Sequence, residues 1–192
     1  MDDEGLVIEH SLVEFGENIP PQYVYQLVSA KYHTKCLQVN SQTSDSTGLR
    51  VYAGAHVLIR FLGSEHGRAL LLDQDVVELG CGTGVVGCVC YETTGIRQML
   101  LTDGSVEACE IARLNVSQLK SELEKKYSPE FVDENFLQIE QLLWGDSESV
   151  AGILQKYCND RPFTVAIGCE LMYYKTAIDD LLSTVRKMTN EL

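Results

Sequence analysis

Three glycines at alternate positions, Gly80, Gly82 and Gly84, follow Glu78 in the stretch VVELGCGTGVVG, and Asp103 lies about 20 residues beyond them. These are the residues whose types and spacing could do chemistry. Without Cβ atoms the turn can be tight and the backbone can approach a ligand closely, while a helix starting directly behind offers free N–H donors. A nucleotide-like cofactor suits such a loop. The carboxylate of Asp103, at the end of LLTDGS, can accept hydrogen bonds from both hydroxyls of a ribose. GTGVVG at 82–87 also satisfies the dinucleotide pattern GxGxxG, and the distance to Asp103 suits NAD equally, so spacing alone leaves the cofactor open. Glu78 points away from NAD: an acid at the base of the loop favours a cofactor with an ammonium group and would repel a pyrophosphate.

Positioning these groups requires strands that end where the glycines begin. DVVEL reads as such a strand, VVGCVCYETTG as a short helix ended by Gly95, MLLTD as a second strand and SVEACEIARLNVSQLKSELEKK as a longer amphipathic helix. FLQIEQLLW and FTVAIG read as a third and a fourth strand, and TAIDDLLSTVRKM as the last helix. Strands alternating with helices predict an α/β fold, a Rossmann-like parallel sheet with helices on its faces. Upstream, YVYQLVS and KCLQVNS alternate with period two around a polar link and predict an N-terminal β-hairpin. Helical spacing starts near Ala53, with Val57, Leu58 and Phe61 on one face, and Gly63 and the polar SEHGR close that helix. Residues 1–22 read as an acidic arm and 23–192 as a single domain, with hairpin and helix over 23–70 and the core over 71–192.

Composition narrows the partners. The 192 residues carry 15 Lys and Arg against 28 Asp and Glu, a formal net charge of −13. Such a field repels phosphate backbones, so nucleic acid is a poor partner and a basic protein or peptide a better one. Seven cysteines, an odd number with no CxxC pair and no His at ligand spacing, read as reduced, buried thiols and not as a metal site. The start MDDEGLVIEH lacks the features of a signal peptide, and no apolar run reaches the ~20 residues that span a bilayer. Cytoplasm or nucleus, with no membrane association, is the expectation.

In four ordered blocks the chain resembles the seven-strand S-adenosylmethionine-dependent methyltransferases, and among them the family-16 protein-lysine methyltransferases. The blocks are TGLRVYAGAHVL, VVELGCGTGVVG, LLTDGS with its helix, and LLWGD followed by VAIGCELMYY. The resemblance implies S-adenosyl-L-methionine as cofactor and a lysine side chain of a protein as acceptor; the group includes enzymes acting on chaperones, an AAA ATPase and translation factors. It implies that Gly80, Cys81 and Gly82 line the methionine part of the cofactor beside Glu78, and that Asp103 holds the ribose. Trp144 then falls near the adenine, and Cys169 at a strand end whose backbone touches the cofactor. Glu170 and Tyr173 match the family's acid-x-x-Tyr, usually Asp-x-x-Tyr. Three residues apart on a helical turn, they would converge on the incoming amine, with Glu170 orienting it.

Two departures stand out. Tyr52 occupies the place of the Trp in the family's VW-x-A-A block, beside the methionine pocket. The family also continues through further strands after the TAIDDLLSTVRKM helix, so the chain reads as truncated, with an uncovered fourth strand that invites self-association. A second expectation follows: a cofactor-binding or scaffold subunit with weak or lost turnover.

Overall fold

A computed structural model describes residues 22–25, 28–29, 32–33, 37–40, 51–126, 137–172 and 176–189. Apart from Gln22, the expected acidic arm lies outside them. The hairpin is present: β1 (Gln22–Tyr25) pairs antiparallel with β4 (Leu37–Asn40), and β2 (Val28–Ser29) with β3 (Tyr32–His33) between them.

Two helices follow, α1 (Ala53–Gly63) and α2 (Glu65–Leu71). The polar SEHGR does not merely close α1. Ser64 ends one helix and caps the next, its Oγ accepting from the Gly67 N–H. The buried face of α1 also differs from the expected one: Ala55, Ile59 and Leu62 face the core, while Val57 and Phe61 are exposed. Apolar residues ring this helix almost completely, so spacing cannot choose a face, and packing against the core does.

The core alternates strand and helix: β5 (Asp75–Leu79), α3 (Val85–Thr94), β6 (Gln98–Asp103), α4 (Val106–Lys126), β7 (Leu137–Gln141), α5 (Ser147–Cys158), β8 (Val165–Gly168) and α6 (Ile178–Met188). Helix α5 is additional to the expected elements, although Asp146 marks its start by accepting from the N–H groups of Glu148 and Ser149. The four strands form one parallel sheet in the order β7-β6-β5-β8. Strand alternation splits the core in two. Val76, Met99 and Leu101 pack with Ala55, Ile59, Val86 and Leu119 from α1, α3 and α4. Val77, Leu79 and Leu100 pack on the opposite face with Val150, Ile153, Leu181 and Met188 from α5 and α6. Covered on both sides, β5 is buried throughout, whereas β8 lies at the sheet edge with Val165, Ala166 and Ile167 only half-buried.

The join between α3 and the sheet is tight at Gly87. A Cβ there would run into Leu101 Cδ2 and lie 2.7 Å from Glu78 Oε2 and 3.1 Å from Met99 Cε. Gly87→Ala is therefore expected to destabilise the fold by about 1–3 kcal/mol despite alanine's better helix propensity. Chemical denaturation measures this, and an unchanged or raised midpoint would show that the core has slack there.

Candidate functional site

The chain lays down β5, β6 and β7 in one direction and then returns to place β8 on the far side of β5. Where strand order reverses, the loops leaving neighbouring strands diverge and open a crevice at the carboxyl ends. A cavity of about 700 Å³ lies there. Its walls come from the exits of all four strands, Gly80–Thr83, Asp103–Ser105, Leu142–Trp144 and Cys169–Met172, and from Val51, Tyr52 and Ala55 at the start of α1. Tyr52, Glu78, Gly80, Cys81, Gly82, Asp103, Trp144, Cys169 and Glu170, scattered over 119 positions of sequence from 52 to 170, all line it. Tyr173 lies outside the described residues.

The glycine loop takes its shape from backbone that only glycine adopts easily. Gly80, Gly82 and Gly84 have φ of 62°, 54° and 73°, with non-glycine residues in between. Three hydrogen bonds fix the turn: Cys81 N–H to the Thr102 carbonyl at 2.9 Å, Gly82 N–H to Asp103 Oδ2 at 2.8 Å, and Gly84 N–H to the Cys81 carbonyl at 2.8 Å. The other oxygen of Asp103 accepts from Ser105 N–H at 2.9 Å. Asp103 thus clamps the loop to the end of β6 as well as facing the cavity. Gly80 also lets neighbours approach, since a Cβ on it would lie 2.5 Å from Leu171 Cδ2 and 3.4 Å from the Trp144 ring.

Electrostatically the cavity is acidic: Glu78, Asp103 and Glu170 line it, and no Lys, Arg or His does so among the described residues. Glu78 is 2% exposed, and its Oε2 has no hydrogen-bond partner. Burial pushes its carboxyl up to about 8, with Asp103 adding to the rise and a hydrogen bond from the Gly87 backbone opposing it. The two cavity thiols are neutral: burial raises Cys81 well above the usual thiol range and Cys169 to about 11. Neither lining cysteine is therefore held as the nucleophilic thiolate. A glycine cradle, an acid placed for ribose and a buried carboxyl with one unpaired oxygen fit a nucleoside cofactor with a cationic end.

Glu170 departs from expectation. It does not open a helical turn: its φ of 53° places it in the left-handed region directly after β8, and its Oε1 accepts from the Gly54 N–H at 2.8 Å. Other lining residues have no motif of their own in the sequence. Leu142 and Leu143 precede Trp144 within LLWGD, and Leu171 and Met172 follow Glu170 within VAIGCELMYY, at strand exits that a topology could have flagged one by one. Asn115, fully buried on the apolar face of α4, donates to the Thr83 carbonyl at 2.7 Å and fastens the loop from behind. Its signal is an amide at an apolar position of the helical period.

Residues 31–191 match a family model described as lysine methyltransferase. Among curated proteins, the protein-lysine N-methyltransferase EFM3 of Chaetomium thermophilum is 28% identical over 163 residues, covering 83% of this chain. The chain spans 44% of that relative's length. Among solved structures, a SAM-dependent methyltransferase from Agrobacterium tumefaciens aligns with a TM-score of 0.51 at 11% identity, over 91% of this chain and 50% of that one. SMU.776, assigned as a methyltransferase and complexed with SAH, aligns with a TM-score of 0.53 at 10% identity, over 93% and 42%. At such identities these two establish the shared Rossmann-like fold.

Proposed function

The chain belongs to the lysine methyltransferase family, and from that premise we propose that it transfers a methyl group from S-adenosyl-L-methionine to a lysine side chain of a protein. The charge of the cavity carries this reading. The carboxyl groups of Asp103, Glu170 and, once ionised, Glu78, with no Lys, Arg or His lining the cavity among the described residues, favour a sulfonium, an ammonium and a lysine, and disfavour phosphates.

When bound, the cofactor would supply an electrophilic methyl group on sulfur. Asp103 would hold the ribose hydroxyls and Glu78 the ammonium group; Gly80, Cys81 and Gly82 would line the methionine portion beside Tyr52. Trp144 offers an indole for the adenine, and Cys169 a backbone contact. A free lysine amine, with a pKa of ~10.4, is only ~0.1% neutral near pH 7.4, so the acceptor must lose a proton before it attacks. Glu170 would orient the amine along the methyl–sulfur line, with Tyr173 as a second contact. Alignment of this kind accounts for most of what such an enzyme contributes.

The net charge of −13 favours an acceptor lysine within a basic segment. A chaperone, an AAA ATPase or a translation factor is the acceptor class we would try first, ahead of nucleic acid. The half-buried β8 edge is the surface we assign to self-association. A sedimentation coefficient that stays monomeric with rising concentration would remove that assignment.

Calorimetric titration with S-adenosylhomocysteine, beside NAD, tests the cofactor. Micromolar binding of the former alone is the expected result, and NAD binding with none of S-adenosylhomocysteine would overturn it. Transfer of labelled methyl to a panel of protein substrates then tests the acceptor, and label appearing only in RNA or small molecules would replace lysine in the reading.

A further inference from the structure

Gly54 and Glu170 are 116 residues apart in sequence and meet at the rim of the cavity. Gly54 is the second residue of α1, whose N-cap Tyr52 provides no side-chain cap and whose first turn contains no acid. Amides at that position have no acceptor inside the helix. Glu170 supplies one from the end of β8, its Oε1 2.8 Å from the Gly54 nitrogen.

The seat exists because residue 54 has no side chain. A Cβ there would lie 2.6 Å from Glu170 Oε1, 2.8 Å from its Cγ and 3.0 Å from its Cδ. Glu170 meanwhile holds a φ of 53°, which residues with a side chain rarely adopt and which persists only where the surroundings enforce it.

We propose that Gly54 and Glu170 form a clasp, in which Gly54 is a positioning residue whose side-chain-free backbone seats the acid on the start of α1. The clasp ties the wall formed by Val51, Tyr52 and Ala55 to the wall formed by Cys169–Met172. It leaves Oε2 of Glu170 without a hydrogen-bond partner among the described residues and open to a cation. The inference rests on the methyltransferase reading of the cavity.

The test is calorimetric affinity for S-adenosylhomocysteine in the 192-residue chain and its variants Gly54→Ala, Glu170→Asp, the double substitution and Glu170→Gln, with circular dichroism as a folding control. Gly54→Ala evicts the carboxylate and Glu170→Asp falls short of the amide, so each is expected to weaken binding about three- to tenfold. In the double variant both changes remove the same contact, so its loss is expected to be no larger than that of the weaker single variant, well short of the sum of the two. Glu170→Gln keeps an acceptor for Gly54 N–H and should keep cofactor affinity, while labelled-methyl transfer falls with the lost charge. Additive losses, or single variants indistinguishable from wild type, overturn the clasp and leave the cofactor reading standing. A folded wild-type chain that binds no S-adenosylhomocysteine overturns both.

Discussion

Replacing Glu78 by glutamine is expected to stabilise the ligand-free protein at pH 8 and to weaken its binding of cofactor. The carboxyl is fully buried on the α3 side of β5, and burial raises it from an ordinary value of 4.5 to about 8. Between those two values the unfolded chain has released this proton and the folded chain still holds it, so folding takes up a proton. The stabilising contribution is complete below about 4.5 and is lost as pH rises through 8, with a slope approaching ~1.4 kcal/mol per pH unit. The buried thiols of Cys81, Cys88, Cys90 and Cys169 are also raised, and their unfolded forms begin to ionise as pH approaches ~8.5, but that contribution is shared by wild type and variant and drops out of the difference.

Glutamine cannot ionise. Like the protonated acid it leaves one buried polar atom without a partner, so that cost is common to both proteins and cancels. Thermal unfolding of wild type and Glu78→Gln from pH 5 to 9 should show midpoints that lie close together at pH 5, diverge steadily up to about pH 8 and stay apart above it, with the variant higher. Binding should move the other way. A cofactor ammonium gains a charged partner only from the carboxylate, and losing a hydrogen bond to a charged group costs about 1.5–3 kcal/mol, so at a pH just above 8, where Glu78 is mostly ionised, affinity for S-adenosylhomocysteine should fall by roughly 10- to 150-fold. Parallel pH profiles for the two proteins would show that Glu78 is not held protonated. Unchanged affinity would remove it from the cofactor's cationic end.

What can be read from sequence follows from how locally each feature is encoded. Strand β5, the glycine turn and α3 form one continuous stretch in which β-branched residues, glycines and a helix follow in order, and Asp103 ends the next strand. The cofactor side of the site is therefore legible in the residues themselves. Side chains whose roles depend on distant packing are not. The face of α1 cannot be chosen among Ala55, Val57, Ile59 and Phe61 by period alone, because the deciding contacts come from α3 and the core. Glu170 is legible as an acid at the site, yet its left-handed backbone and its bond to Gly54 are properties of a chain that has already closed. Helix α5 carries a good N-cap in Asp146, but it follows an apolar run whose strand-like pattern continues as far as Trp144, three residues beyond the end of β7.

Asp103→Ala is expected to reduce affinity for S-adenosylhomocysteine by ~1–3 kcal/mol, and the structure divides that loss between two causes. One is the ribose contact proposed for this carboxylate. The other is already visible without ligand: Oδ2 accepts from Gly82 N–H and Oδ1 from Ser105 N–H, so the side chain holds the glycine turn against the end of β6. Each oxygen has a second lone pair, and the two duties are compatible. Removing the side chain frees a loop whose three left-handed glycines have large conformational freedom to regain, and part of the binding energy must then be spent on reordering it. Asparagine separates the contributions. It offers one acceptor in place of two, so either Gly82 or Ser105 loses its partner while the volume is kept. Repeating the titrations with the 2′,3′-dideoxy analogue of the ligand, which lacks both hydroxyls, completes the cycle. If Asp103 acted only through ribose, the penalty of Asp103→Ala would largely vanish with the analogue. The expectation is that a substantial part of it survives, because the Gly82 clamp is broken whichever ligand is offered, and a penalty below about twofold with S-adenosylhomocysteine itself would sink both roles.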